Sequence, residues 1–207
     1  MKHYTLLLLL FSSVCFSQVV RVPNITTFDH LTISGNDALT LTGDATVWDD
    51  LVFPAFQLKT VGQTDKPDFI VANLALSFPE DTTEMVGTLA QMSHRWKPGT
   101  RIYPHVHWIQ GADQNVDWRI SYKWWNIGDP DPVTYTQVLL DSAVIDYTTG
   151  TIQQLNTNVT GISGAGKTLS SMIQIKLYRK SDNYTGEVQL LQFDIHFQID
   201  KIGSRTT

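Results

Sequence analysis

The chain has 207 residues, with 15 Lys+Arg against 20 Asp+Glu and a formal net charge of −5. That length suits one domain with a proper core and is short for two, and an acidic balance without a basic run excludes the electrostatic footprint of nucleic-acid binding. Six Trp, seven Tyr and nine Phe in a Thr-rich chain favour strands over helices.

The first residues combine Lys2 and His3 with an apolar run from Leu6 to Phe11 and a small-residue ending at Cys15-Phe16-Ser17. This reads as a signal peptide over residues 1–17, cut before Gln18. The run is too short to span a bilayer, so no membrane association is expected beyond the leader. Cys15 follows Val14 rather than the small residue of a lipobox, which favours ordinary cleavage. It is also the only cysteine, so the mature chain has no disulfide and no thiolate chemistry.

Residues 18–43 are polar, and the alternation in Leu31-Thr-Ile-Ser34 and Leu39-Thr-Leu-Thr42 predicts two short strands about a Gly-Asn-Asp turn. Such a segment is too thin to hold its own core and predicts an extended arm. The main domain is expected over 44–207. It opens with Val47-Trp48-Asp49-Asp50-Leu51, runs through a strand from Phe69 to Phe78, and reaches a strand from Thr88 towards the Lys97-Pro-Gly99 turn.

After that turn Ile102, Pro104, Val106 and Trp108 share one face, and Arg101, Tyr103, His105 and His107 the other. Val116 to Trp124 alternates strictly, Met172 to Lys180 alternates again, and the last long strand sets Leu191, Phe193, Ile195, Phe197 and Ile199 against Gln192, Asp194, His196, Gln198 and Asp200. About eight to ten such strands without a helical period predict an all-β, antiparallel two-sheet sandwich, jelly-roll-like in its connections.

Two motifs carry chemistry. Gly161-Ile-Ser-Gly-Ala-Gly-Lys-Thr168 matches a phosphate-binding loop letter for letter, but a polar segment precedes it and a period-two segment follows, where a phosphate cradle needs an apolar strand and a helix. A flexible connection between strands is the expected role. The spacing Gly99-x5-His105-x-His107 resembles the first half of the first cupin motif, which implies metal ligands on a jelly-roll strand. Asp113, six positions on, is the nearest carboxylate to complete it.

His196, beside Asp194 on the last strand, brings three histidines and a carboxylate within reach of one transition metal if the strands are neighbours, giving His105, His107 and His196 as a metal set. The apolar residues occupy the opposite faces of both strands, so these histidines point away from the core. That suits a subunit interface built on Arg101, Tyr103, His105 and His107, or a metal on the axis of a trimer. No acid, base and nucleophile set emerges from spacing, so no enzyme and no other cofactor is expected.

The series Val47-Trp48-Asp49-Asp50-Leu51, Trp96-Lys-x-Gly-Thr100, Pro104-His-Val-His-Trp108, Trp124-x-Asn126-Ile-Gly128, Gly164-x-Gly-Lys-Thr-Leu-Ser-Ser-Met172, Phe193-Asp-x-His196 and Gly203-Ser204 resembles a family of small tailed-bacteriophage and prophage proteins, regarded as virion-associated structural proteins. The resemblance implies a non-enzymatic head decoration or tail appendage, acting in the virion by self-association, as a homo-oligomer such as a trimer, and by contact with other virion proteins. The leader departs from that pattern and points to a secreted or periplasmic protein. Two alternatives follow from that address. One is a secreted cupin-like metal-binding protein using His105, His107 and His196. The other is a secreted carbohydrate-binding module using exposed aromatics, with Trp125, out of phase with Trp124, as the outward ring.

Overall fold

The computed structural model describes residues 31–33, 39–41, 47–62, 66–80, 83–111, 116–140, 153–180 and 184–202; of 31–33, 39–41, 153–157 and 202 the backbone alone is described. The predicted leader at 1–17, most of the predicted arm, and Asp113 lie outside these residues. Among the described residues the elements are strands and a 3-10 turn at Ala55–Gln57, and no helix is long and apolar enough to cross a membrane.

In chain order the strands are β1 (Leu31–Ile33), β2 (Leu39–Leu41), β3 (Val47–Pro54), β4 (Lys59–Thr60), β5 (Asp68–Ile70), β6 (Ala75–Phe78) and β7 (Met85–Gln91). They continue as β8 (Ile102–Gln110), β9 (Asp117–Trp125), β10 (Thr136–Leu140), β11 (Gln153–Thr157), β12 (Met172–Lys180), β13 (Val188–Ile199) and β14 (Lys201–Ile202). One sheet has the order β10-β9-β12-β7-β4. The other has β11-β8-β13-β6-β5, with β3 also on β13.

Taken from β6 to β13, the strands fall into the orders β6-β13-β8-β11 and β7-β12-β9-β10, all antiparallel. The chain passes from one sheet to the other at every step from β6 to β13 except between β9 and β10. That order is the jelly roll, two Greek keys wound into a sandwich. β1 and β2 pair as a hairpin where alternation predicted two short strands, and β14 joins them by pairing with β2.

The core lies between the inner faces. Ile102, Val106 and Trp108 of β8 and Phe193, Ile195 and Phe197 of β13 meet Trp118, Ile120 and Trp124 of β9 and Ile173, Ile175 and Leu177 of β12, all buried. Aromatic edges bridge the sheets, with Phe78 and Trp118 at 5.3 Å and Trp118 and Trp108 at 6.3 Å between ring centroids. Arg179, on the core phase of β12, is also fully buried and donates to the carbonyls of Phe78, Tyr184 and Gly186, which ties the 184–186 segment to the end of the sandwich.

β13 departs from the simple alternation in one place. Its register against β8 shifts between Leu190 and Gln192, so Leu191 is the extra residue of a β-bulge. Val188 and Leu190 enter the core, Leu191 is only half-buried, and the inward phase resumes at Phe193. The bulge coincides with a change of neighbour: β6 pairs with Val188–Leu190 and β3 takes over from Gln192 to Ile199. The expected run from Phe69 to Phe78 is likewise two strands, split by a turn in which Leu74 has a φ of 52°.

The segment resembling a phosphate loop is a connection between strands. Ile162 bridges to Ile102, a turn closes from Gly164 to Lys167, and β12 follows without a helix. The Lys167 ammonium donates to the Trp124 carbonyl at 2.7 Å rather than facing an open cradle. Gly164 is there for space: a Cβ would lie 2.3 Å from the Thr100 carbonyl oxygen and 2.5 Å from the Trp96 ring. Gly166 is there for conformation, with a φ of +73°. Gly164→Ala is expected to destabilise the fold by about 1–3 kcal/mol through overpacking against backbone. A urea melt with an unchanged midpoint would contradict that account.

Candidate functional site

The outer face of the β8–β13 pair is where polar residues of neighbouring strands come into register. Across the pair His107 faces Gln192, His105 faces Asp194 and Tyr103 faces His196. On the far side of β13, β3 sets Val52 against Asp194, Asp50 against His196 and Trp48 against Gln198. Period-two alternation on three adjacent strands thus gathers three histidines, two carboxylates and an indole on one surface.

Asp194 is the centre. Its Oδ2 lies 3.2 Å from His105 Nε2 and 3.1 Å from His107 Nε2, and accepts from Gln192 Nε2 at 2.9 Å. Its other oxygen, Oδ1, is buried without a hydrogen-bond partner. Although on the outer face, Asp194 is only 3% exposed and His105 8%, so the cluster is shielded from water more than a solvated face would be. His107 and His196 are half-buried and Asp50 is exposed.

Burial alone would raise the Asp194 pKa, but hydrogen bonds from His105, His107 and Gln192 outweigh it and hold the carboxyl well below the usual carboxylate range. For His105 burial works to lower the pKa. The hydrogen bond to Asp194 and its charge, with smaller help from the Tyr103 carbonyl and Asp50, reverse this and raise it above 6.5. The two shifts run in opposite directions because each group favours the charged form of the other.

His196 does not join Asp194. Its Nδ1 lies 2.5 Å from Asp50 Oδ1, and its ring packs 5.4 Å from His105 and 5.4 Å from Trp48. The three histidines expected to converge do stand side by side, but as two carboxylate-bound groups in contact through His105. The expected interface set divides further. Tyr103 makes an edge contact with Trp48 at 5.5 Å. Arg101 turns away to donate to the carbonyls of Thr160 at 3.1 Å and Gly161 at 3.0 Å.

Three residues of the site were not singled out by sequence: Asp50, Gln192 and Trp48. The signal was present in the alternation of Val47 to Pro54, whose outward phase carries Trp48 and Asp50, but the partner strand was not. Trp125, the expected outward aromatic, is half-buried, whereas Trp48 is 42% exposed.

No family model and no curated protein matches this chain. Among solved structures it is similar to the CBM36-1 domain of a multidomain xylanase from the hindgut metagenome of Trinervitermes trinervoides, with 10% identity, a TM-score of 0.42, and coverage of 77% of this chain and 100% of that one. It is also similar to carbohydrate-binding module CBM36 in complex with calcium and xylotriose, with 14% identity, a TM-score of 0.41, and coverage of 70% and 97%. A family two carbohydrate esterase from Cellvibrio japonicus aligns at 12% identity and a TM-score of 0.37 over 77% of this chain, which spans 37% of the esterase's length.

The ion pair sets a pH dependence. The His105 contribution, from a raised pKa, is complete below 6.5 and is lost as pH rises through the folded-state value; the Asp194 contribution, from a lowered pKa, is complete above the normal carboxylate range and is lost as pH falls. With chelator present, the melting temperature is expected to fall between pH 6 and pH 8 more steeply in the native chain than in His105→Gln. Parallel profiles for the two would refute the pairing.

Proposed function

We propose that this chain is a non-catalytic jelly-roll module that binds a polysaccharide on the outer face of β3, β8 and β13. What supports the reading is Trp48. It is a large apolar ring left 42% exposed on a strand whose inward residues, Leu51 and Phe53, pack against the core, and it is flanked by Tyr103 and His196.

A pyranose ring presents a face of C–H bonds to such an indole and a rim of hydroxyls to whatever polar groups surround it. Asp50, His196 and Gln198 stand around Trp48 in the register of β3 and β13, and Val52, 49% exposed, extends the apolar strip. Aromatic anchors of this kind contribute large contact area at low conformational cost. Contacts between these side chains fix the polar groups, since His196 is held on Asp50 and His105 on Asp194. A prepositioned rim loses less entropy on binding than a mobile one.

The resemblance to virion-associated proteins fits the same face. A jelly roll displayed on a particle, as a head decoration or a tail appendage, would meet cell-surface polysaccharide directly, with other virion proteins and further copies of itself as its structural partners. Alternatively the module is secreted and works alone. In both settings the binding face is the one around Trp48.

Affinity electrophoresis of the full chain through gels containing soluble plant and bacterial polysaccharides tests the proposal. Retardation by at least one polysaccharide is expected, weakened about tenfold or more in Trp48→Ala, as is usual for a central aromatic anchor. Trp125→Ala should bind as the native chain does. Free migration in every gel, or equal retardation of Trp48→Ala, would sink the assignment.

A further inference from the structure

We infer that His105, His107 and Asp194 form a transition-metal site, with Zn2+ the best-suited occupant. The inference stands independently of polysaccharide binding and rests on the geometry of the cluster. In a tetrahedral zinc site with bonds of about 2.0–2.1 Å the ligand atoms stand roughly 3.3–3.4 Å apart. The two Nε2 atoms lie 3.2 and 3.1 Å from Asp194 Oδ2, close to that edge length before any adjustment. One ligand atom from each of the three residues lies within 4.8 Å of the others.

A second observation points to a ligand at the same place. The two histidine Nε2 atoms and the Gln192 amide all lie at Oδ2, while Oδ1 of the same carboxylate, on a side chain 96% buried, has no partner. A buried acceptor without a donor is costly and rare. A cation held by both oxygens of the carboxylate would supply the missing partner.

The surroundings have the form of an outer shell. His105 Nδ1 lies 3.5 Å from the Tyr103 carbonyl, so the ring presents Nε2 rather than Nδ1 to Asp194. Gln192 Nε2 donates to the same Oδ2 at 2.9 Å and steadies the carboxylate.

The donor set selects the ion. Two imidazoles and one carboxylate suit zinc and its neighbours, whereas calcium takes six to eight oxygens. A second triad, Asp50, His105 and His196, shares His105. The Asp194 triad is favoured because two of its three members are buried and already in place. In this set a carboxylate takes the position that sequence spacing assigned to His196.

The test uses the full chain without a histidine tag, stripped with chelator and titrated with Co2+ and then Zn2+. One equivalent of Co2+ per chain is expected, with the visible absorption of a tetrahedral site, displaced by Zn2+. Zn2+ should raise the melting temperature and Ca2+ should not. His107→Gln, at a half-buried position that leaves the core intact, should lose more affinity than the roughly 10–100-fold that outer-shell changes cost. His196→Gln should retain binding. No stoichiometric uptake by the native chain, or uptake unchanged in His107→Gln, would overturn the site. Loss in His196→Gln with retention in His107→Gln would move the metal to the other triad and overturn it equally.

Discussion

The pairing of β8 with β13 places Asp194 directly across from His105, and the whole outer face depends on that register. A slip of one residue would carry Asp194 to the core side and bring an apolar residue opposite the histidines. Two features prevent it. Phe193, Ile195 and Phe197 are locked into the core from one side, and the bulge at Leu191 absorbs the offset that the Val188–Leu190 half needs to keep its own side chains inward. The chemistry of the outer face is therefore set by hydrophobic packing on the inner one.

The same strand resolves a conflict between burial and charge. A carboxylate as enclosed as Asp194 is expensive unless donors surround it. The histidines of β8 and Gln192 provide them, and the cost appears instead as an unpartnered Oδ1. Clusters of this kind rigidify a surface that would otherwise be a solvated sheet face. On this protein the rigid part lies directly beside an exposed indole.

Alternation made much of this visible in advance. β12 spans the predicted residues from Met172 to Lys180, β8 places its tryptophan inward and its histidines outward, and the hairpin of β1 and β2 sits where two short polar-apolar runs were read. The bulge escaped notice because Leu190 and Leu191 are both leucine, so either phase reads as apolar. A carboxylate joining the histidines was legible in Asp194, which stands beside His196 on the same strand. Its preference for His105 and His107 needed the cross-strand register, which periodicity cannot supply. Nor does alternation say what covers an outward face, which is why His105 reads as exposed and is buried. The phosphate-loop pattern shows the converse: Gly164 and Gly166 satisfy the letters of a motif for reasons of contact and turn geometry alone.

β13 is central in its sheet yet comes after every strand it pairs with. It separates β8 from both β6 and β3, and β3 begins about 140 residues earlier in the sequence. During synthesis β3, β6 and β8 emerge long before the strand that joins them, so their hydrogen-bonding edges stand open until residues 188–199 arrive. Folding of this sheet is accordingly a late, long-range event with a high loop-closure cost. A nascent chain held short of β13 would offer those edges to other chains, and chaperone dependence and aggregation on truncation follow from the strand order itself.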